Sequence, residues 1–264
     1  MPELPDVEVR RLYFEKTSLK QPVARVSVLD ARALEGVSPT ALGRGLKGAR
    51  FVSIGRRGKY LLARTDREST LLLHFGMGGD LFYRKKGEQR AKWTRVEFCF
   101  DTGNRLDYID LRLFGKVALF PTGDAGEIPD VAKLGPEPLD RSFTYKRFRE
   151  AVGGHKTTIH QVLMDQELIA GIGNIFSDEI TYQACVRPDR SVSDLSDEEL
   201  RRVYDKMKWT LKQAVRLDAD LDREPERFII PHRERNGVCP RGNGKLASKK
   251  IGGRTSYYCP ACQT

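Results

Sequence analysis

Apolar periodicity changes character once along this chain, and that change limits the fold more than any other feature. From about residue 22 to 121 the pattern has a period of two: Val96, Phe98 and Phe100 alternate with Arg95, Glu97 and Cys99, as in a half-buried strand. Further strand candidates are 23–29, 48–55, 59–64, 69–75, 105–109 and 116–120, separated by glycines and charged turns. Many short strands with such turns predict a β-sandwich or barrel-like domain. A leading helix over 5–18, with Pro5 in its first turn and Val9, Leu12 and Tyr13 at helical spacing, would pack on it.

The segment 121–142 is rich in Pro, Gly and Asp and reads as a linker. Helical patterns follow. Phe143, Phe148, Ala151 and Val152 mark a short helix, 157–168 a second that ends at Ala170-Gly171-Ile172-Gly173, and a third runs from Asn174 to about Cys185. Ser196 with Glu199 forms a capping box that opens a long helix striped by Leu200, Val203, Tyr204, Met207, Leu211 and Val215. The fold class is α+β and multidomain. Its expected parts are an N-terminal domain over 1–133, a helical domain over 134–225 and a small cysteine-containing module over 226–264.

The net charge of +10 favours a polyanionic partner, nucleic acid first. No apolar run reaches the ~18 residues of a membrane span. The acidic, proline-broken start does not read as a signal peptide, so a cytoplasmic location is expected, or a nuclear one in a nucleated source. A monomer is expected. Cys99 and Cys185 read as buried small hydrophobes, whereas Cys239, Cys259 and Cys262 crowd the C-terminus in the manner of zinc ligands. Cys259-Pro260-Ala261-Cys262 is one CxxC knuckle. Its partner, Cys239-Pro240-Arg241-Gly242, has glycine at the second ligand position, which leaves the fourth ligand to water, to a histidine such as His232, or to nothing.

Several motifs suit a nucleic-acid enzyme. Met1 precedes Pro2 and is expected to be removed, which exposes a secondary amine beside the Glu3 carboxylate. An unprotonated α-amine is a nucleophile that forms Schiff bases, and a neighbouring carboxyl group moves the protons. Gly171-Ile172-Gly173-Asn174 precedes a helix whose N-terminal amides, with the Asn174 side chain, form a candidate phosphate clamp. Arg254, at the tip of a hairpin around Gly252-Gly253, suits a phosphate. Arg56-Arg57-Gly58-Lys59-Tyr60 reads as a basic turn between strands. The loops His74-Phe75-Gly76-Met77 and Asp110-Leu111-Arg112-Leu113-Phe114-Gly115 set bulky residues beside glycines. Met77 and Phe114 are candidate wedges in a base stack, and Arg112 a partner for an orphaned base.

In order and spacing these motifs, together with Leu134-Gly135-Pro136-Glu137-Pro138-Leu139, resemble the formamidopyrimidine-DNA glycosylase and endonuclease VIII family over the whole chain. The resemblance implies a β-sandwich with its leading helix, then a helix-two-turn-helix bundle and a zinc-finger-like hairpin, with damaged double-stranded DNA or abasic sites bound in a basic cleft. It implies Pro2 as the nucleophile at the sugar anomeric carbon, Glu3 as proton donor and Lys59 in the same catalytic group. Lys59, Asn174 and Arg254 would hold phosphates, with Arg57, His74 and His160 also on the DNA. Met77, Arg112 and Phe114 would fill the space left by the flipped nucleotide. Strand cleavage by β- and δ-elimination would follow, with Glu8 and Asp6 as acidic neighbours of the N-terminus. His160 stands where readers of oxidised purines carry a lysine. The segment around Asp218–Glu224 is short and acidic compared with a lesion-covering lid. Both departures count against 8-oxoguanine, but the intact Arg112-Leu113-Phe114 loop points back to the purine branch, so substrates are expected among formamidopyrimidines, 8-oxoguanine and hydantoins. Oxidised pyrimidines are the alternative, and a non-catalytic binder of damaged DNA or a zinc-ribbon RNA-binding protein are the competing classes.

Overall fold

The computed structural model describes residues 1–220, 223, 225 and 227–264. The chain divides into two compact units: Met1–Pro2 with Asp6–Lys133, and Glu3–Pro5 with Leu134–Thr264.

In the first unit, most of helix α1 (Leu4–Ser18) accompanies two antiparallel four-stranded sheets. The strands are β1 (Val23–Val28), β2 (Phe51–Arg57), β3 (Tyr60–Thr65), β4 (Thr70–His74), β5 (Asp80–Arg84), β6 (Thr94–Phe100), β7 (Arg105–Ile109) and β8 (Lys116–Phe120), and a helix α2 (Pro39–Leu46) lies between β1 and β2. One sheet has the order β1-β6-β7-β5 and the other β2-β3-β4-β8. Val7, Phe14, Phe51, Leu61, Leu73, Phe98 and Tyr108 meet in a single core. Each such side chain taken from water stabilises the fold by about 1.5–3 kcal/mol.

Leu71-Leu72-Leu73 is buried without a break because β4 is covered on both faces. Leu71 and Leu73 join the sandwich core, while Leu72 packs with Leu62, Ala118, Ile128 and Val131. The last two lie in the segment expected to be a bare linker. It forms a 3-10 turn (Ala125–Glu127) and a short helix, α3 (Pro129–Ala132), because its two apolar side chains cover the outer face of the β2-β3-β4-β8 sheet. Strand β5 was also absent from the sequence reading. Leu81 joins the sandwich core, while on the opposite face Phe82 is exposed and Arg84 buried. Arg84 points into a charged cluster, where its guanidinium pairs with Glu97 and lies 3.0 Å from Asp107. The Cys99 sulfhydryl donates to Glu97, so this cysteine sits at a polar cluster.

In the second unit, α4 (Tyr145–Val152), α5 (Ile159–Met164), α6 (Asn174–Gln183) and α7 (Asp197–Arg216) form the helical bundle, followed by the hairpin β9 (Ala247–Ile251) and β10 (Arg254–Tyr258). Leu4, Phe148, Ile159, Leu163, Phe176, Ile180, Val203, Met207 and Leu211 share its core. The capping box of Ser196 and Glu199 is formed in full. Helix α6 is buried from Phe176 to Gln183, charged residues included. The Leu4 N–H donates to the Gly171 carbonyl at 2.9 Å. A side chain at Gly171, which has φ +91°, would strike Leu4 Cβ at 2.8 Å, so glycine is required there. Cys185, just past α6, is half-buried at φ +58° and its sulfur accepts from Arg241 at 3.1 Å, unlike the apolar core residue expected. In the acidic segment after α7, Leu221, Asp222 and Glu224 lie outside the described residues.

Candidate active site

Glu3 is 2 % exposed, and its carboxylate caps helix α6. Oε2 accepts from the N–H groups of Gly173 at 2.6 Å and Phe176 at 3.2 Å, and Oε1 from Ile175 at 2.8 Å. The helix has no cap from its own N-cap side chain, Gly173, so a residue 170 positions earlier supplies one. The anion site read from the Gly-Ile-Gly-Asn motif therefore exists, but it holds Glu3 where a phosphate was expected. Pro2 is buried and Met1 is exposed.

Asn174 is likewise engaged. Its Nδ2 donates to the Thr255 carbonyl at 2.9 Å, which ties the start of α6 to the residue after Arg254. Arg254 is exposed at the first position of β10, opposite Ile251. Asp178 fixes the same hairpin from within α6. Fully buried, it accepts from Arg233 at 2.7 Å, the Ser256 hydroxyl at 2.6 Å and the Tyr257 N–H at 2.9 Å. His160 is fully buried too, with Nε2 3.3 Å from Asp178 but without hydrogen-bond geometry. It lines a cavity of about 380 Å³ with His155, Gln161 and Arg254. An interior imidazole is not presented to DNA, so the direct contact expected of His160 is replaced by packing behind the hairpin.

In the first unit, Lys59 is 8 % exposed and follows Gly58, whose φ of +52° makes the tight β2–β3 turn. Arg56 braces that turn by donating to the Gly58 carbonyl and to Glu8, each at 3.0 Å. Glu8 also accepts from Arg11 at 2.8 Å, so its carboxylate meets two guanidinium groups. Asp6 lies in the first turn of α1 and Arg57 is half-buried at the end of β2. Burial, reinforced by the charges of Lys116 and Lys59, holds the His74 imidazole down to about 4. His74 is therefore neutral at physiological pH and is not a cationic phosphate ligand.

The two glycine-containing loops meet. A Cβ on Gly76 would lie 2.3 Å from the Phe114 carbonyl carbon, so the chains pass in backbone contact and only glycine fits. Met77 is 42 % exposed and Phe114 57 %, and Arg112 is exposed beside them. Sequence reading missed what holds them. Buried Asp110 accepts from the N–H groups of Arg112 and Leu113 at 3.0 Å and of Gly115 at 2.7 Å. The Tyr108 hydroxyl donates to the His74 carbonyl at 2.6 Å. The Asp110 N–H donates to the carbonyl of Trp93, an exposed residue at φ +68° flanked by Lys92 and Arg95. An aspartate opening a loop two residues before an arginine is an available Asx-turn signal.

The sulfurs of Cys239, Cys259 and Cys262 lie within 4.8 Å of one another, and Cys239 and Cys262 are 3.6 Å apart. A zinc–sulfur bond of about 2.3 Å gives a tetrahedral edge of about 3.8 Å, so the three sulfurs fit one zinc ion. Burial pushes the Cys239 thiol up, but the Tyr182 hydroxyl and the N–H groups of Arg241 and Asn243 outweigh it and hold it down to about 7. Among the described residues His232 does not join the group.

Residues 1–117 match the sequence model of the formamidopyrimidine-DNA glycosylase N-terminal domain, and residues 134–224 that of its H2TH domain. The formamidopyrimidine-DNA glycosylase of Heliobacterium modesticaldum is 36 % identical, with all of both chains covered. This chain belongs to the formamidopyrimidine-DNA glycosylase family. A second family member, from Pelotomaculum thermopropionicum, is 31 % identical over all of this chain and 99 % of its own. Among solved structures, the Lactococcus lactis enzyme bound non-covalently to DNA containing an AP site superposes with a TM-score of 0.89 at 28 % identity, with 99 % of each chain covered. The same enzyme with DNA containing N7-benzyl-Fapy-dG gives 0.89 at 27 % identity over all of both chains. Among the described residues no helix is long and apolar enough to cross a membrane.

Proposed function

We propose that this chain excises oxidised bases from duplex DNA and cleaves the resulting abasic site through Pro2. The observation that carries the reading is the Glu3 carboxylate, fixed by the α6 amides and peptide-bonded to the nucleophile. Once Met1 is removed, the Pro2 nitrogen attacks the sugar anomeric carbon and the glycosidic C–N bond breaks, the damaged base leaving with a proton from solvent. Glu3 takes the proton released by the amine and returns it to the ring oxygen, so the ring opens and an iminium remains. Elimination from that intermediate breaks the strand on the 3′ and then the 5′ side, and hydrolysis frees Pro2.

Lys59, Arg57 and Arg254 supply the positive charge that holds the phosphates, and Asn174 keeps Arg254 in place through the Thr255 carbonyl. Met77, Phe114 and Arg112, exposed on two loops locked together, fill the stack after base extrusion. The Arg112-Leu113-Phe114 loop favours purine-derived lesions (formamidopyrimidines, 8-oxoguanine, hydantoins) over oxidised pyrimidines. Cys239, Cys259 and Cys262 would hold a zinc ion, which when bound cross-links the base of the hairpin that carries Arg254. The place of work is the nucleoid.

Borohydride reduction in the presence of abasic-site duplex tests the mechanism. A stable protein–DNA adduct that maps to the Pro2 peptide is expected, and none from protein that retains Met1. Correctly processed protein that gives no adduct is a binder rather than an enzyme.

A further inference from the structure

We infer that the three-cysteine centre completes its coordination with a small monodentate donor from solution, a thiol ahead of an imidazole or water, bound on the Gly242 side. The inference rests on the zinc reading above and concerns the fourth ligand alone. Zinc in proteins takes cysteine, histidine or carboxylate ligands, almost always four when the site is structural. Among the described residues no histidine, aspartate, glutamate or fourth cysteine joins the three sulfurs within 4.8 Å.

The neighbouring polar groups already serve the sulfurs as donors. The Tyr182 hydroxyl lies 3.3 Å from Cys239 Sγ, and Asn243 Nδ2 donates to Cys262 Sγ at 2.9 Å. Backbone N–H groups of Arg241 and Asn243 face the Cys239 sulfur, and those of Ala261 and Cys262 face Cys259. Donors thus face the sulfurs of both turns, although one of them carries a single cysteine. Cys185 does not substitute, since its sulfur is engaged by Arg241 and lies outside the group.

Gly242 is the position at which a fourth sulfur would be expected from the spacing of the other knuckle. It is exposed, and a Cβ built on it meets nothing within 4 Å. That side of the centre is therefore open to small molecules. Three thiolates on a divalent ion leave one net negative charge, so a neutral donor or a single further thiolate is accepted. A thiol entering there gives its proton to solvent and binds as thiolate.

Cobalt substitution of the full-length protein reads the coordination directly. One equivalent of cobalt is expected to give a sulfur-to-metal charge-transfer band whose accompanying d–d bands shift on titration with β-mercaptoethanol or imidazole. In Gly242→Cys the charge-transfer intensity should rise about 1.3-fold, four thiolates against three, and the d–d bands should stop responding. Gly242 has φ +75°, which strains a cysteine, so Cys262→Ser provides a variant that leaves that turn intact and must lose intensity. Cobalt bound by the wild-type protein but indifferent to added donors overturns the inference and leaves the zinc reading standing. Protein that binds no metal, or in which Cys239 and Cys262 are found as a disulfide after reductive purification, overturns both.

Discussion

The Glu3 carboxylate lies 2.6 Å from the amide nitrogen of Gly173, close enough that a Cβ on Gly173 would stand 2.4 Å from the carboxylate carbon. The glycine is thus a requirement of the acid's position rather than of turn geometry. Gly173→Ala should push Glu3 off the helix end without altering its chemistry, and Glu3→Gln should keep the position while removing the proton carrier. Both are expected to slow single-turnover base excision by about 10²–10⁴-fold. Lesion-DNA affinity should change less than the rate. Equal losses in affinity and rate would make Glu3 a structural cap only.

The loop that carries Arg112 and Phe114 hangs on Asp110. Its carboxylate is buried with donors at 2.7–3.0 Å, so Asp110→Ala leaves three amides without their acceptor. A loss of about 1–3 kcal/mol in urea denaturation is expected. Abasic-site affinity should fall further, because Phe114 and Met77 lose their fixed juxtaposition. Unchanged affinity in the folded variant would remove these residues from the DNA interface.

His74 gives the first unit a pH dependence. Its imidazole is held near 4 in the fold, against about 6.5 in an unfolded chain. Between these values the unfolded chain binds more protons, so stability is full above about pH 6.5 and falls as pH drops toward 4. The loss reaches at most about 3 kcal/mol. The stability difference between wild type and His74→Gln, measured in urea from pH 7.5 to 4.5, should shrink as pH falls. A difference independent of pH would place the histidine in contact with water.

Legibility in the sequence followed how local the determining interaction is. Helix α7 was readable because Ser196, Glu199 and the stripe from Leu200 to Val215 lie within one element. Strand β6 was readable for the same reason. Strand β5 was not, because Arg84 is buried on the face away from the sandwich core, where it meets Glu97 and Asp107 on other strands. The helix end at Gly173 was recognised as an anion site, but its occupant comes from the far end of the sequence. His160 read as a DNA contact because its type and position suggest one, whereas its burial beside Asp178 depends on the packing of α5 against α6. Pro2, Lys59 and Arg254 carry recognisable chemistry in short motifs and were legible as candidates.

Arg254 and Asp178 separate charge from position. Arg254 is exposed at the hairpin tip, so Arg254→Ala should leave stability within about 0.5 kcal/mol of wild type. If it holds one phosphate, the slope of log affinity against log salt should flatten by about 0.9. Asp178→Asn keeps Arg254 but weakens the acceptor shared by Arg233, Ser256 and Tyr257, leaving a half-buried guanidinium without its charge partner. It is expected to destabilise the second unit by about 3–5 kcal/mol and to increase amide exchange in β10. At a temperature where that variant is still folded, its salt slope should stay near the wild-type value while affinity drops, because the cation remains and only its placement is loosened. A slope that flattens as much as in Arg254→Ala would mean that the hairpin has left the DNA altogether.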